Sequence, residues 1–253
     1  FCYLRDLESG VLWSTALHPT GRSTRHYEAI FTQARAEFRR HDEQIETHTE
    51  ISVSSEDDLE LRRVTLTNRS ERVRVIEVTS YAEVVLATQA QDESHPAFSN
   101  LFVQTEIVQP QNALFCTRRP RSTEEHPPWM MHMMTIGRSV ARDVAGQVSN
   151  RNDGSYAPSF ETDRMKFIGR GRTLSAPAAF DQQKPLSNTV GSTLDPIVSI
   201  RNKLILQPGE SLRVDIVTGV AETRDGVRVL AEKYSDPSLA DRVFELAWTR
   251  GPI

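Results

Sequence analysis

Cysteine is almost absent: Cys2 and Cys116 are the only two in 253 residues. Two cannot frame a chain of this length with disulfides, so both are expected as small buried thiols. Long hydrophobic runs are missing as well, and nothing approaches the roughly 18 apolar residues that span a bilayer. The opening "FCYLRDLESG" lacks the basic, apolar and cleavage-site order of a signal peptide. A cytoplasmic domain is therefore expected, with membrane association of a parent protein left open. No initiator Met is present, so Phe1 is expected to be internal to something longer. Excess positive charge is lacking too. The net charge of -4 leaves no surplus cations to displace counterions from phosphates, and nucleic acid is excluded as a partner. Tryptophan is scarce, with Trp13, Trp129 and Trp248 scattered.

What is present is mostly strand. In "QIETHTEISVSS", Ile45, Thr47, Thr49, Ile51 and Val53 alternate with polar residues, the period of a half-buried strand. In "LELRRVTLTN", Leu59 and Leu61 share one phase, and Val64 and Leu66 the other. A β-bulge at Arg62-Arg63 would produce that slip. "VRVIEVTSYAEVVL" is a long β-branched run suited to a central strand covered on both faces. Pro208-Gly209 fits the two central positions of a type II turn. Leu204 and Leu206 before it, and Leu212, Val214 and Ile216 after it, predict a hairpin. Such runs add up to roughly a dozen strands, the pattern of a large sandwich.

The end reads differently. Val227, Leu230, Ala231 and Tyr234 share a helical face, with Asp225 as its expected cap. Asp236 and Pro237 start a second helix whose apolar stripe is Leu239, Val243, Leu246 and Ala247. Residues 119–192 are the least regular part and are rich in Pro, Gly and Arg. Long loops of this kind on a β scaffold carry function or interfaces.

No catalytic motif stands out. "IGRSVA" around Ser139 lacks the second glycine of a nucleophile elbow. "IGRGRT", with Gly169 and Gly171, lacks the third glycine of a dinucleotide fingerprint and reads as a loop with left-handed backbone. No histidine pair has zinc-ligand spacing. "HPPWMMHMM" admits soft-metal binding, but no cysteine joins it, so packing of the methionines under Trp129 is favoured and no metal is expected. The paired acids Glu124 and Glu125, and Glu56, Asp57 and Asp58, lie in solvated turns. "NRS" at Asn68 matches a glycosylation acceptor in a turn. The richest set is "ETDRMKFIGRGR": Glu161, Asp163, Arg164, Lys166, Arg170 and Arg172, interleaved with Phe160 and Phe167. Guanidinium and carboxylate groups beside aromatics suit sugars, and equally a wet protein interface. Glu161, Asp163, Arg164, Arg170 and Arg172, with Trp129, are the candidate carbohydrate-binding residues; no catalytic residue is assigned.

Several blocks resemble one known domain, in order: "YLRDLESGVLWS", "SYAEVVL", "DESHPAFSNLFVQTE", "FIGRGRTLSAPAAF" and "PIVSIRNKLILQPGESLRVDIVTGVAETRDGVRVLAEKYSD". They look like the N-terminal β-supersandwich of glycoside hydrolase family 94, formerly glycosyltransferase family 36. The wording is nearest the cyclic β-1,2-glucan synthase branch, with cellobiose and chitobiose phosphorylases also similar. The resemblance implies an all-β fold: a two-sheet antiparallel supersandwich, galactose mutarotase-like, over residues 1–224. Residues 225–253 would then be helices opening a linker to an absent (α/α)6 catalytic barrel. It further implies a non-catalytic domain that supports that barrel and a homodimer, facing β-glucan oligosaccharide or polysaccharide. This domain would need no cofactor, while a phosphorylase parent would use inorganic phosphate. His95-Pro96 is expected to turn the chain into a strand, with Phe98 and Phe102 filling the core between the sheets. A free-standing carbohydrate-binding module and a mutarotase-like epimerase are the rival readings.

Overall fold

Apolar-polar alternation builds two antiparallel sheets in the computed structural model, which describes residues 1–120, 122–137 and 157–249. The first strands are β1 (Cys2–Asp6), β2 (Leu12–Ser14), β3 (Tyr27–Phe31), β4 (Ala36–Asp42) and β5 (Ile45–Val53). Next come β6 (Leu59–Asn68), β7 (Arg74–Ser80), β8 (Ala82–Glu83), β9 (Val103–Val108) and β10 (Ala113–Arg118). β11 (Trp129–Gly137), β12 (Ser159–Asp163), β13 (Gly191–Ser192), β14 (Pro196–Leu206) and β15 (Ser211–Ala221) complete the set. The helices are α1 (Gln89–Ser94), α2 (Pro96–Asn100), α3 (Arg164–Ile168), α4 (Arg224–Tyr234) and α5 (Pro237–Thr249). The smaller sheet runs β12-β14-β7-β1-β2, with β8 also on β14. The larger one runs β13-β9-β10-β11-β15-β6-β5-β4-β3.

Three apolar layers follow. Between the sheets, Leu4, Trp13, Ile76, Val78 and Ile200 meet Val64, Leu66, Leu114, Val214 and Ile216. The larger sheet's outer face buries Leu59, Leu61, Phe115, Met131 and Val217 under Val227, Ala231, Tyr234, Val243 and Phe244 of the last two helices. Over the smaller sheet, Tyr3, Tyr81 and Ile197 lie beneath Phe167, Ile168 and Leu186. Arg5 and Arg201 pin this cover. Both face the wholly buried Glu77, at 2.7 and 3.4 Å. They donate to the carbonyls of Phe180, Ala179 and Lys184 at 2.9, 3.0 and 2.9 Å.

The central-strand reading of 73–86 holds for 74–80, where β7 lies between β14 and β1 and is buried along nearly its whole length; beyond Ser80 the run breaks into the two-residue β8, and Val73 and Val85 are exposed. Other expectations change. No bulge interrupts β6, whose register is unbroken against both β5 and β15. The phase slip arises because Leu59 and Leu61 point to the helix layer while Val64 and Leu66 point between the sheets. At the far end of β5, Val53 is 68% exposed. Met131 and Met133 pack with Trp129 under the helices, and Met130 and Met134 turn into the inter-sheet core. Pro208-Gly209 makes its turn, with Gly209 at φ +73° and a 3.0 Å bond from Glu210 N–H to Gln207 O. It is a corner rather than a hairpin, because β14 belongs to the smaller sheet and β15 to the larger. Asn68 is fully buried at such a corner, so its "NRS" is closed to glycosylation in the fold.

The "HPAFSN" stretch is helical. Pro96 suits the first position of α2, the strand starts only at Val103, and Phe98 is half exposed against Phe102 at 5.1 Å. His95 precedes that helix, exposed and without a side-chain cap bond. For α4 the cap is Thr223, which accepts from Gly226 N–H at 3.0 Å; Asp225 lies inside the first turn. Asp236 caps α5 as expected, accepting from Ser238 N–H at 2.9 Å. Arg63 clasps its cross-strand partner Asp215 at 2.8 and 3.1 Å and Asp241 of α5 at 2.8 Å, fastening that helix to the sheet.

Candidate functional site

The charged stretch 161–172 begins where β12 leaves the smaller sheet. A register shift between Glu161 and Asp163 bends the strand. Glu161, buried at the bend, accepts the N–H groups of Thr162 and Asp163, each at 3.1 Å, and the Ser187 hydroxyl at 2.6 Å. Asp163 caps α3 through Met165 N–H at 2.8 Å and Lys166 N–H at 3.4 Å. Gly169 ends that helix at φ +88°. A Cβ there would sit 2.7 Å from that of Ala178.

Arg164 is the hub of what remains exposed. It reaches Glu83 at 3.2 Å and Asp195 at 3.4 Å. Tyr81 donates to the same Glu83 oxygen at 3.0 Å, and the Asn100 amide to Asp195 at 3.4 Å. Partial burial works to lower the Arg164 pKa, but hydrogen bonding with Tyr81 and the nearby carboxylates outweigh it and hold it above the ordinary value. Two separate sequence stretches, 93–107 and 161–172, thus meet at Asp195. Exposed Leu101, Met165 and Leu194 adjoin the bonded residues. Solvent-exposed pairs of this kind are worth about 0–1 kcal/mol each, so a ligand or neighbouring surface can exchange them at small cost.

Farther along, Arg170 is exposed, and Arg172 pairs with Asp181 at 2.6 Å on the surface. Phe160 and Phe167 are buried in the core layers, so neither ring is available for stacking. Trp129 lies on β11, packed with the helix layer of the larger sheet and apart from the other five candidates. Ser139 falls outside the described residues. Cys2 and Cys116 are free and buried, and burial pushes their thiols up to about 11 and about 12.

Sequence reasoning did not single out His132. It spans the two sheets, 2.8 Å from Ser80 Oγ and 2.8 Å from Thr218 Oγ1. The Ser–His contact superficially matches a nucleophile and its base. Burial lowers the imidazole to about 3, too low for a base at neutral pH, and both residues are buried. The alternation of "MMHMM" was the signal: a residue in phase with Met130 and Met134 points inward.

Among the described residues, Glu37, His48 and Glu50 bring potential metal-ligand atoms within 4.8 Å of one another. Arg35 contacts both carboxylates, at 2.7 and 2.6 Å, and Arg39 reaches Glu37 at 3.1 Å. Two guanidinium charges in the ligand shell repel a cation, so the cluster is an ion-pair network.

The family model described as "Glycosyl hydrolase 94, supersandwich domain" matches residues 1–237. The chain is 37% identical, over its full length, to 8% of the cyclic beta-(1,2)-glucan synthase NdvB of Rhizobium meliloti (strain 1021). It is 23% identical, over 96% of its length, to 29% of a solabiose phosphorylase of Paenibacillus borealis. It therefore spans a minor part of these curated relatives. Among solved structures, a bacterial glucoamylase complexed with acarbose aligns with 98% of the chain and 31% of its own, at TM-score 0.51 and 8% identity, a likeness of fold alone.

Proposed function

The chain belongs to the glycosyl hydrolase 94 supersandwich domain family, and on that premise we propose that it is a non-catalytic, carbohydrate-facing and architectural domain of a larger enzyme acting on β-glucans. The parent is a cyclic β-1,2-glucan synthase or a glycoside phosphorylase, the latter consuming inorganic phosphate. Chemistry takes place on a barrel to which α4 and α5 lead. The surface of Asp163, Arg164, Arg170 and Arg172 faces glucan or barrel, shaped from beneath by Glu161. The domain is cytoplasmic and also supports dimerisation. Among the described residues, no helix is long and apolar enough to cross a membrane.

The fate of the buried carboxylates carries the non-catalytic reading. Asp6, Glu37, Asp42, Glu77 and Asp215 each face an arginine, and Glu161 is taken up by backbone N–H groups and Ser187. Glycoside chemistry needs a carboxyl group that reaches the glycosidic oxygen of the substrate, whereas these are buried and face partners within the domain.

Titration with β-1,2- and β-1,4-gluco-oligosaccharides, together with polarimetry of fresh α-glucose, tests the proposal. The expected result is weak binding that Arg164→Ala abolishes, with mutarotation at its uncatalysed rate. Accelerated mutarotation would make the domain an epimerase. Tight saturable binding would make it a free-standing binding module.

A further inference from the structure

The turn between β5 and β6, residues 54–58, is bonded rather than merely solvated, contrary to the expectation from its acids. Asp57 is half-buried, and one of its carboxylate oxygens accepts from the Lys233 ammonium at 2.7 Å and from the Tyr234 hydroxyl at 2.6 Å, both at the end of α4. Beside it, Glu56 pairs with Arg242 of α5 at 2.8 Å. Ser54 Oγ shapes the turn by accepting the N–H groups of Glu56 and Asp57, each at 3.2 Å, and Val220 N–H braces it to β15 through Asp58 O at 2.9 Å. Two adjacent carboxylates therefore grip both helices, one on each side of the elbow Ser235-Asp236 between them.

The grip is polar, and there is room beside it. Leu239, Val243 and Leu246, the apolar stripe of α5, line a cavity of about 200 Å³ against Ser54, Glu56 and Tyr234. The other flank of the turn borders a cleft of about 430 Å³ against Val220 and Leu230. A close-packed contact would resist any shift of the helix; a cavity does not. Part-exposed ion pairs are weak and are screened by salt. The same helix is held firmly elsewhere, with Asp241 at 2.8 Å from both Arg63 and Arg213 and the Phe244 ring 4.7 Å from the Arg63 guanidinium. So α5 has one seated side and one side secured by charge.

We propose that the turn 54–58 is an ionic latch on a hinge at Ser235-Asp236. Latched, it fixes the angle of α5. Released, α5 pivots about Asp241 and Phe244 with the cavity as its clearance, a motion between two positions at a short hinge. α4 stays in place, since Val227, Ala231 and Tyr234 are buried in the helix layer. That α5 presents the barrel rests on the proposed function; the hinge itself does not.

Pairs of nitroxide labels read the hinge, because Cys2 and Cys116 are buried and leave introduced thiols as the labelling sites. Glu46→Cys on β5 with Glu245→Cys on α5, both exposed positions, should give one narrow distance. Adding Glu56→Ala and Asp57→Ala should raise a second distance from below about a tenth of the population to about half. Salt at about 1 M should move the latched chain the same way. Glu46→Cys with Val229→Cys, which reports exposed Val229 of α4, should keep its single distance throughout. An α5 distance unchanged by the double substitution or by salt overturns the proposal. So does an equal shift of the α4 pair, which would mean that the helix layer loosens as a whole. None of these outcomes bears on the sugar titrations.

Discussion

The side-chain amide of Asn68 donates to the carbonyl of Leu206 at 3.0 Å, joining the two corners where the chain passes from one sheet to the other. The same nitrogen reaches Arg72 O at 2.7 Å and Gln207 O at 3.2 Å, while Oδ1 accepts from Ser70 N–H at 3.0 Å. The Asn68 backbone pairs with Glu210 O and Gly209 N–H, both at 2.9 Å. One asparagine therefore satisfies backbone groups that neither sheet can pair.

Replacing it should be costly. Buried groups left without partners lose about 1–3 kcal/mol each, so Asn68→Ala is expected to destabilise by about 2–4 kcal/mol. Urea denaturation measures this, and a loss under about 1 kcal/mol would mean that packing alone holds the corners.

Two glycines should separate in the same assay. Gly209 has φ +73° with nothing within 4 Å of a new Cβ, so Gly209→Ala carries only the left-handed backbone cost of about 1–2 kcal/mol. Gly169→Ala adds the clash with Ala178 and should reach about 2–4 kcal/mol. Equal losses would show that segment 174–186 yields freely above α3.

His132 makes stability depend on pH. Burial first, then the Phe1 amino group and Arg62, lower its folded pKa from 6.5 to about 3. Above the unfolded value both states are neutral, and the full contribution is present. Between there and the folded value only the unfolded chain takes the proton, so stability falls by about 1.4 kcal/mol per pH unit on acidification. Between pH 7.5 and 5, His132→Gln should lose about 2 kcal/mol less than the parent chain. Parallel pH profiles would show that the imidazole is reached by water.

Helix α5 is held to the sheet by charge as well as by Val243 and Phe244. Arg63→Met takes the two closest bonds from buried Asp215, leaving it Arg213 at 3.4 Å, and should cost about 3 kcal/mol, most of which Arg63→Met with Asp215→Leu regains. Limited proteolysis near Asp236 should quicken in both variants, since each lacks the Arg63–Asp241 bond. If the double variant is as unstable as the single, Asp215 is not what the guanidinium supports.

Much of the architecture was legible in local pattern. Period-two alternation marked the strands, Asp236-Pro237 marked the start of α5, and Pro208-Gly209 marked its turn, because each depends on φ, ψ or a hydrogen bond within a few residues. Glu161, Asp163 and Arg164 were legible as chemically rich, but not as to purpose. Glu161 and Asp163 spend themselves on nearby backbone N–H groups, while Ser187, Glu83 and Asp195, which pair with Glu161 and Arg164, are distant in sequence.

The sequence by itself determined that this chain forms antiparallel strands and that it turns at Pro208-Gly209, since those follow from side-chain alternation and from the backbone freedom of single residues. Only the tertiary structure decided which core each apolar face enters, that Pro208-Gly209 is a corner and that Phe98 stays outside. Sheet membership is settled by which distant strands meet, and alternation is the same whichever neighbour a strand takes.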